Sequence, residues 1–296
     1  MSTRAAEQPV ETHADLAALA AGLVTVTLWG SAFVGIRDVG RALSPGALAL
    51  GRLLVSVAVL GAVAAVRREP LPQRRDLLRI AAFGVLFLGG YSVTLNAAER
   101  RVDAGTAAML VNTGPILIAV LAGTFLGEGF PRRLFAGGAV AFAGVALIAL
   151  GNAQAPSPSG VGIALLIVAA CSYATAVVIQ KSALARASPF QVTWLGCAAA
   201  CLVCLPFAPS LVADLGPARP ATIGWVVYLG LAPTALGFAT WAYALRRTSA
   251  GRLASLAYLI PVVATVLGWA LLGETPPWLA VAGGVLCVAG VYLARR

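Results

Sequence analysis

Ten runs of about 20 mostly apolar residues, separated by short gaps, occupy nearly all of this 296-residue chain. A helix of that length crosses the hydrocarbon core of a bilayer and satisfies its own backbone there. The runs are read as spans over residues 16–36, 45–66, 77–98, 104–126, 133–151, 160–180, 189–208, 222–245, 251–272 and 277–294. Composition closes the soluble alternative. Only 11% of residues are charged, less than half of the roughly 25% in a soluble domain, so no charged shell can be built. No gap is long enough for a soluble domain. Residues 1–15 read as a tail, and the first run exceeds a cleavable signal core, so it is expected to stay as a span. Residues 153–159, uncharged and with Pro156 and Pro158, read as a linker.

The net charge of +10 lies mostly in the gaps. One side takes Arg4, Arg67, Arg68, Arg74, Arg75, Arg79, Arg132, Arg133, Lys181, Arg186, Arg246, Arg247, Arg252, Arg295 and Arg296. The other takes Arg37, Arg41, Arg100, Arg101 and Arg219, a bias of 15 to 5. Cytoplasmic loops carry the excess of such residues, which predicts cytoplasmic termini in a multi-pass bacterial inner-membrane protein. No basic patch is interleaved with aromatics, so no nucleic-acid partner is expected. The five cysteines lie inside apolar runs and read as small hydrophobic side chains. The only histidine, His13, is in the tail, and no carboxylate pair lies at depth. Neither an enzyme centre, a metal nor a cofactor is expected.

The chain repeats itself. At an offset of 146, Pro115 pairs with Pro261, Gly127-Glu128 with Gly273-Glu274, Gly137-Gly138 with Gly283-Gly284, and Ala143-Gly144-Val145 with Ala289-Gly290-Val291. At 144, Ser44-Pro45 pairs with Ser188-Pro189. The units are residues 16–152 and 160–296. Five spans per unit is an odd number, so the second unit enters the membrane inverted. The expected fold is an all-α membrane protein of ten transmembrane helices, as two inverted five-helix repeats around a central cavity. Inverted repeats are typical of carriers with a site near the midplane.

Two L-G-E boxes (Leu126-Gly127-Glu128 and Leu272-Gly273-Glu274) each follow a proline-broken span, and Trp29-Gly30-Ser31-Ala32-Phe33 lies in the first span. With the ten spans they resemble the drug/metabolite transporter superfamily, EamA type, over nearly the whole chain. The resemblance implies four helices of each half around the cavity, with the fifth and tenth outside. It also implies export of small metabolites, amino acids and aromatic ones among them. Arg52 resembles a familiar second-span arginine, but its repeat partner is Gly196.

Apolar walls with a few hydrogen-bonding groups make a ligand site. Candidate substrate-binding residues are Trp29, Tyr91, Asn96, Asn112, Tyr173, Trp241 and Tyr258. On the third span Gly84, Leu88, Tyr91 and Leu95 share a helical face. Arg52, two turns into its span, is within snorkelling reach of water. Pro115 and Pro261 each remove a backbone donor in mid-span, as hinges or as static kinks. Glycines of the fifth and tenth spans mark close packing, read as internal to a monomer. Glu99, Glu128 and Glu274 fall at water-exposed span ends. With no titratable group at depth, the expectation is facilitated downhill export of amino acids. A broad drug or sugar-linked metabolite exporter coupled to protons stays open as the alternative.

Overall fold

A computed structural model describes residues 13–40, 42–102, 104–151, 159–273 and 275–296. Ten helices among them are long and apolar enough to cross a membrane. They are α1 (His13–Val39), α2 (Pro45–Arg67), α3 (Arg74–Ala98), α4 (Thr106–Phe125) and α5 (Arg132–Gly151), then α6 (Gly160–Leu184), α7 (Pro189–Leu215), α8 (Pro220–Arg247), α9 (Ala250–Leu271) and α10 (Trp278–Arg295). Residues 153–158 of the linker lie outside the described ones, as do residues 1–12 of the tail. The seventh span runs seven residues past its expected end at 208. Pro206 does not stop it, because the chain there tightens into a 3₁₀ turn, Leu205–Phe207. Proline sits in the first turn of that segment, where no intrahelical donor is needed.

Long-range packing is symmetric about the repeat. Helix α1 packs on α8 and α9, and its partner α6 packs on α3 and α4. Helix α2 packs on α8 and α7 packs on α3. Glycine permits the last pair of crossings. A Cβ at Gly84 would strike the backbone oxygen of Gly196, and one at Gly230 would stand 2.6 Å from Val55 Cβ and 2.8 Å from the Arg52 carbonyl. The departure at Arg52 follows. Where α3 meets α7, residue 196 must be small. Where α8 meets α2, the Arg52 backbone fills that role, and its side chain is free to reach elsewhere.

The same two glycines open π-helical segments, Gly84–Tyr91 in α3 and Gly230–Leu236 in α8. Such segments are rare and frequent at functional sites. Carbonyls in both accept bonds from the opposite half. Ser172 Oγ of α6 donates to the Leu86 carbonyl (2.8 Å), and Trp29 Nε1 of α1 donates to the Pro233 carbonyl (3.1 Å). Ser56 Oγ of α2 donates to the Gly230 carbonyl (2.8 Å). Helices α5 and α10 pack on each other within the chain. A Cβ at Gly144 would stand 2.5 Å from the Gly283 oxygen, and one at Gly137 would strike the backbone of Ala294. Trp278 and Tyr292 are exposed, but Trp225 packs over Gly35 and against Tyr228.

Candidate functional site

Both proline-broken spans break one turn before the proline. In α4 the helix stops at Val111, turns through Asn112 and Thr113, and resumes at Gly114. In α9 it tightens into a 3₁₀ turn, Leu256–Leu259, and resumes at Ile260. Proline removes one donor and crowds the preceding turn, and two polar side chains at the break bond their own helix. Asn112 Nδ2 donates to the Ala108 carbonyl (2.8 Å) and Thr113 Oγ1 to that of Leu110 (2.6 Å).

Between the breaks and the π-helical segments lies a cluster of rings. Phe87 is its hub, with centroids of Tyr173 at 4.7 Å, Phe238 at 5.0 Å, Tyr91 at 5.3 Å, Trp29 at 6.0 Å and Phe83 at 6.2 Å. Trp29 also meets Phe238 and Trp241, each at 5.1 Å. Tyr91 and Tyr173 are 5.8 Å apart, and Tyr173 lies within electrostatic reach of Tyr258. The rings come from α1, α3, α6 and α8, so both halves contribute. Four of the seven candidates, Trp29, Tyr91, Tyr173 and Trp241, are in this cluster, with Tyr258 beside it. Asn96 lies nearer one face, where Nδ2 donates to the Pro45 carbonyl at the start of α2 (3.3 Å). Asn112 spends its amide on its own helix.

Five buried polar atoms, in and on the terminal side of the rings, have no hydrogen-bond partner among the described residues. They are the Tyr173 and Tyr258 hydroxyls, Trp241 Nε1, and both amide atoms of Gln180. Buried polar groups are normally paired, and each orphan calls for an explanation such as a bound ligand or ordered water.

Sequence reasoning passed over Phe87, Phe238 and Gln180, and placed Arg52 only within reach of water. It used a period of 3.6 residues and took Leu88 for the inner face of α3. A π-helical turn holds more residues, so the face rotates and Phe87 points to the rings. Pro233, inside the eighth span, was the one sequence sign of such a break. Arg52 does not snorkel away from the protein. Its Nε and Nη2 both donate to Thr234 Oγ1, at 3.2 and 3.1 Å, in the π-helical segment of α8.

The two ends of the site differ. Near the face where α1 begins and α10 ends, called here the terminal face, Trp241, Ala242, Leu256 and Tyr258 are at most 1% exposed. Their repeat partners near the opposite face, Leu95, Asn96, Leu110 and Asn112, are all half-buried. Two contacts close the terminal face. Glu128 Oε1 and Oε2 accept from the backbone N–H groups of Ala250 (2.7 Å) and Gly251 (3.2 Å), at the start of α9. Lys181 Nζ donates to the carbonyls of Leu245 (2.5 Å) and Thr248 (2.6 Å), at the end of α8. Glu128 is thus half-buried and bonded, not at a merely water-exposed end. Gly127 and Gly129, with φ of 69° and 72°, turn the loop so that Glu128 faces α9, a conformation that other residues adopt at a cost. The side chains of Glu99 and Glu274 fall outside the described residues.

A groove of about 270 Å³ between α2 and α7 is lined by Gly61, Ala64, Phe190 and Trp194 among others. It lies by the end of α2 and the start of α7, and none of the clustered rings lines it. Its one carboxylate, Glu69, is occupied by Ser188 Oγ (2.6 Å) and Arg67. Among the described residues, no group of three or more His, Cys, Asp or Glu is placed to hold a metal.

Sequence comparison agrees with this architecture. The EamA-like transporter family matches the chain twice, over residues 16–150 and 160–296. A probable terminal-alkyne amino-acid exporter of Streptantibioticus cattleyicolor is 37% identical over 93% of this chain and 92% of its own. A probable amino-acid metabolite efflux pump of Salmonella typhimurium is 28% identical over 92% of each chain. A protein crystal structure superposes with a TM-score of 0.78 over 94% of this chain and 96% of its own, at 20% identity, which shows the shared fold. With ten apolar spans and symmetric packing of their helices, the chain belongs to the EamA-like transporter family, and it is a multi-pass membrane transporter of small metabolites, related to bacterial exporters of amino acids and other metabolites.

Proposed function

We propose that this protein exports amino acids, aromatic ones included, across the bacterial plasma membrane by alternating access, through a site between its two inverted halves. The observation that carries the reading is the ring cluster built from both halves, with unpartnered hydroxyl and indole groups in and beside it. Apolar walls with a few convergent polar groups suit a small, partly aromatic substrate. The substrate contacts are assigned to Trp29, Tyr91, Tyr173, Trp241 and Tyr258, with Phe87 and Phe238 as walls. The names of the two amino-acid exporters among its relatives support the same class. The terminal face is taken as cytoplasmic from the basic-residue bias. The arrangement then fits an outward-facing state, shut inside by Glu128 and Lys181. The protein works as a monomer in this reading, and transport is downhill. Coupling to protons needs a group whose proton affinity differs between states, and a buried carboxylate would supply it. Among the described residues, Asp and Glu are found only at span ends.

The test is counterflow and efflux of labelled amino acids in sealed proteoliposomes. Phenylalanine or another aromatic amino acid should exchange in a saturable way. A pH gradient alone should not drive accumulation. Replacing Tyr173 and Tyr258 together by Phe should weaken apparent affinity about tenfold, on the basis of roughly 0.5–1.5 kcal/mol per hydrogen bond. Exchange of cationic drugs but of no amino acid would sink the substrate class. Accumulation driven by pH would sink the downhill mechanism.

Pro115 and Pro261 are assigned as hinges, since each follows the break in its span. Alanine at either position restores the lost donor and is expected to slow exchange more than it lowers protein level. Unchanged exchange rates in both Pro115→Ala and Pro261→Ala would leave them as static kinks.

A further inference from the structure

Arg52 is a cation within a membrane span, seven residues or about 10 Å from the start of α2 at 1.5 Å per residue. Its position is set by backbone packing, since its carbonyl faces Gly230, and the Ser56 hydroxyl lies between the Arg52 and Gly230 carbonyls, 2.8 Å from each. Its side chain runs between the two π-helical segments. On one side Nε and Nη2 are held by Thr234 of α8. On the other it lies within electrostatic reach of Tyr91 of α3, which packs against Phe87 and Tyr173 in the ring cluster. The fork is therefore oriented, and Nη1 has no protein acceptor among the described residues.

No carboxylate among the described residues balances it. The ion pairs found there, Arg67 with Glu69 and Arg79 with Asp76, lie at span ends, and Asp214 and Glu128 are bonded to backbone N–H groups elsewhere. Removing a charge from water without a counter-charge is costly, and an intramembrane ionisable side chain marks a functional path. A guanidinium with one edge held by Thr234 and, among the described residues, no protein acceptor on the other matches a planar carboxylate, which it binds through parallel N–H groups.

We propose that Arg52 is the receptor for a carboxylate on the substrate, and that the transported class is defined by a carboxylate joined to an apolar or aromatic body. This rests on the reading that the substrate binds between the halves. Thr234 is a positioning residue that holds the fork. No matching anion faces the rings from the described residues, so an ammonium group on the substrate has only ring faces and phenol oxygens to meet. The carboxylate is therefore required and the ammonium is not.

Three probes separate these requirements: L-phenylalanine, 3-phenylpropionate, which lacks the ammonium, and phenethylamine, which lacks the carboxylate. Their affinities are measured on purified full-length protein in detergent by ligand-induced thermal shift. Wild type should bind 3-phenylpropionate at least tenfold more tightly than phenethylamine. Arg52→Gln should bring the two within about threefold, and Arg52→Lys should keep the order with a smaller margin. Thr234→Val, which retains the charge, should weaken the carboxylate ligands without reversing the preference. Equal wild-type affinity for acid and amine would overturn the proposal, as would an Arg52→Gln protein that keeps the tenfold preference. If Arg52→Gln does not fold, the wild-type ratio and Arg52→Lys still decide. Failure of the functional reading appears separately, as carboxylate binding without exchange of any amino acid in proteoliposomes.

Discussion

Gly84→Val is expected to lose transport and to lower the unfolding midpoint of the protein. Gly84 opens the π-helical segment of α3, where that helix crosses α7 at Gly196. Any Cβ there meets backbone oxygen and carbon of Gly196, and no flexible side chain stands in between to give way. Overpacking usually costs about 1–3 kcal/mol, and a backbone clash belongs at the upper end. In a chain of this size that corresponds to a fall of roughly 5–10 °C in the unfolding midpoint. Gly138→Ala is the control, because a Cβ at Gly138 meets nothing within 4 Å. There the better helix propensity of alanine should hold or raise the midpoint. The measurement is thermal unfolding in detergent beside a proteoliposome flux assay. A wild-type midpoint for Gly84→Val would show that the crossing is looser than its geometry.

The second large effect is expected at Glu128. Its carboxylate takes two backbone N–H groups at the start of α9 and brings a negative charge to the positive end of that helix. Hydrogen bonds to a charged group contribute about 1.5–3 kcal/mol each. They hold only while α9 lies against the loop after α4, so they favour the state closed at the terminal face. Glu128→Ala removes both, and the balance should move toward opening there by at least tenfold. The readout is a single cysteine at Ser255, now 2% exposed, in a background lacking the native cysteines. A membrane-impermeant thiol reagent applied from the terminal face should label it at least ten times faster in the Glu128→Ala protein. Glu128→Gln should fall between, because its amide oxygen still accepts one bond but brings no charge. Equal labelling in all three would show that Glu128 braces a loop and does not control access.

Much of this protein is legible in one dimension. The hydrophobic length of a span is a local property, so ten helices follow from the runs without tertiary knowledge. The repeat is equally local: Gly127-Glu128 and Gly273-Glu274 stand 146 residues apart and need no structure to be seen. The positions of the helix breaks follow from Pro115 and Pro261, because proline acts on its own preceding turn. Of the site, the tyrosines and tryptophans were legible as polar-tipped rings at mid-span.

The rest was decided by contacts between helices distant in the chain. The π-helical turns form where Ser172 and Trp29 of the opposite half accept the cost of irregular backbone by bonding its carbonyls, and they rotate Phe87 inward against the simple helical period. Whether Arg52 faces lipid or protein depends on Thr234, 182 residues away. Glu128 reads as a solvated span end until the start of α9, 122 residues on, is placed beside it. The sequence by itself determined the spans, their repeat and their breaks, because these depend on transfer of each segment into lipid and on local backbone sterics. Only the tertiary structure decided which side chains meet, which face of α3 turns inward and which end of the site is shut, because those are choices between partners that no local pattern encodes.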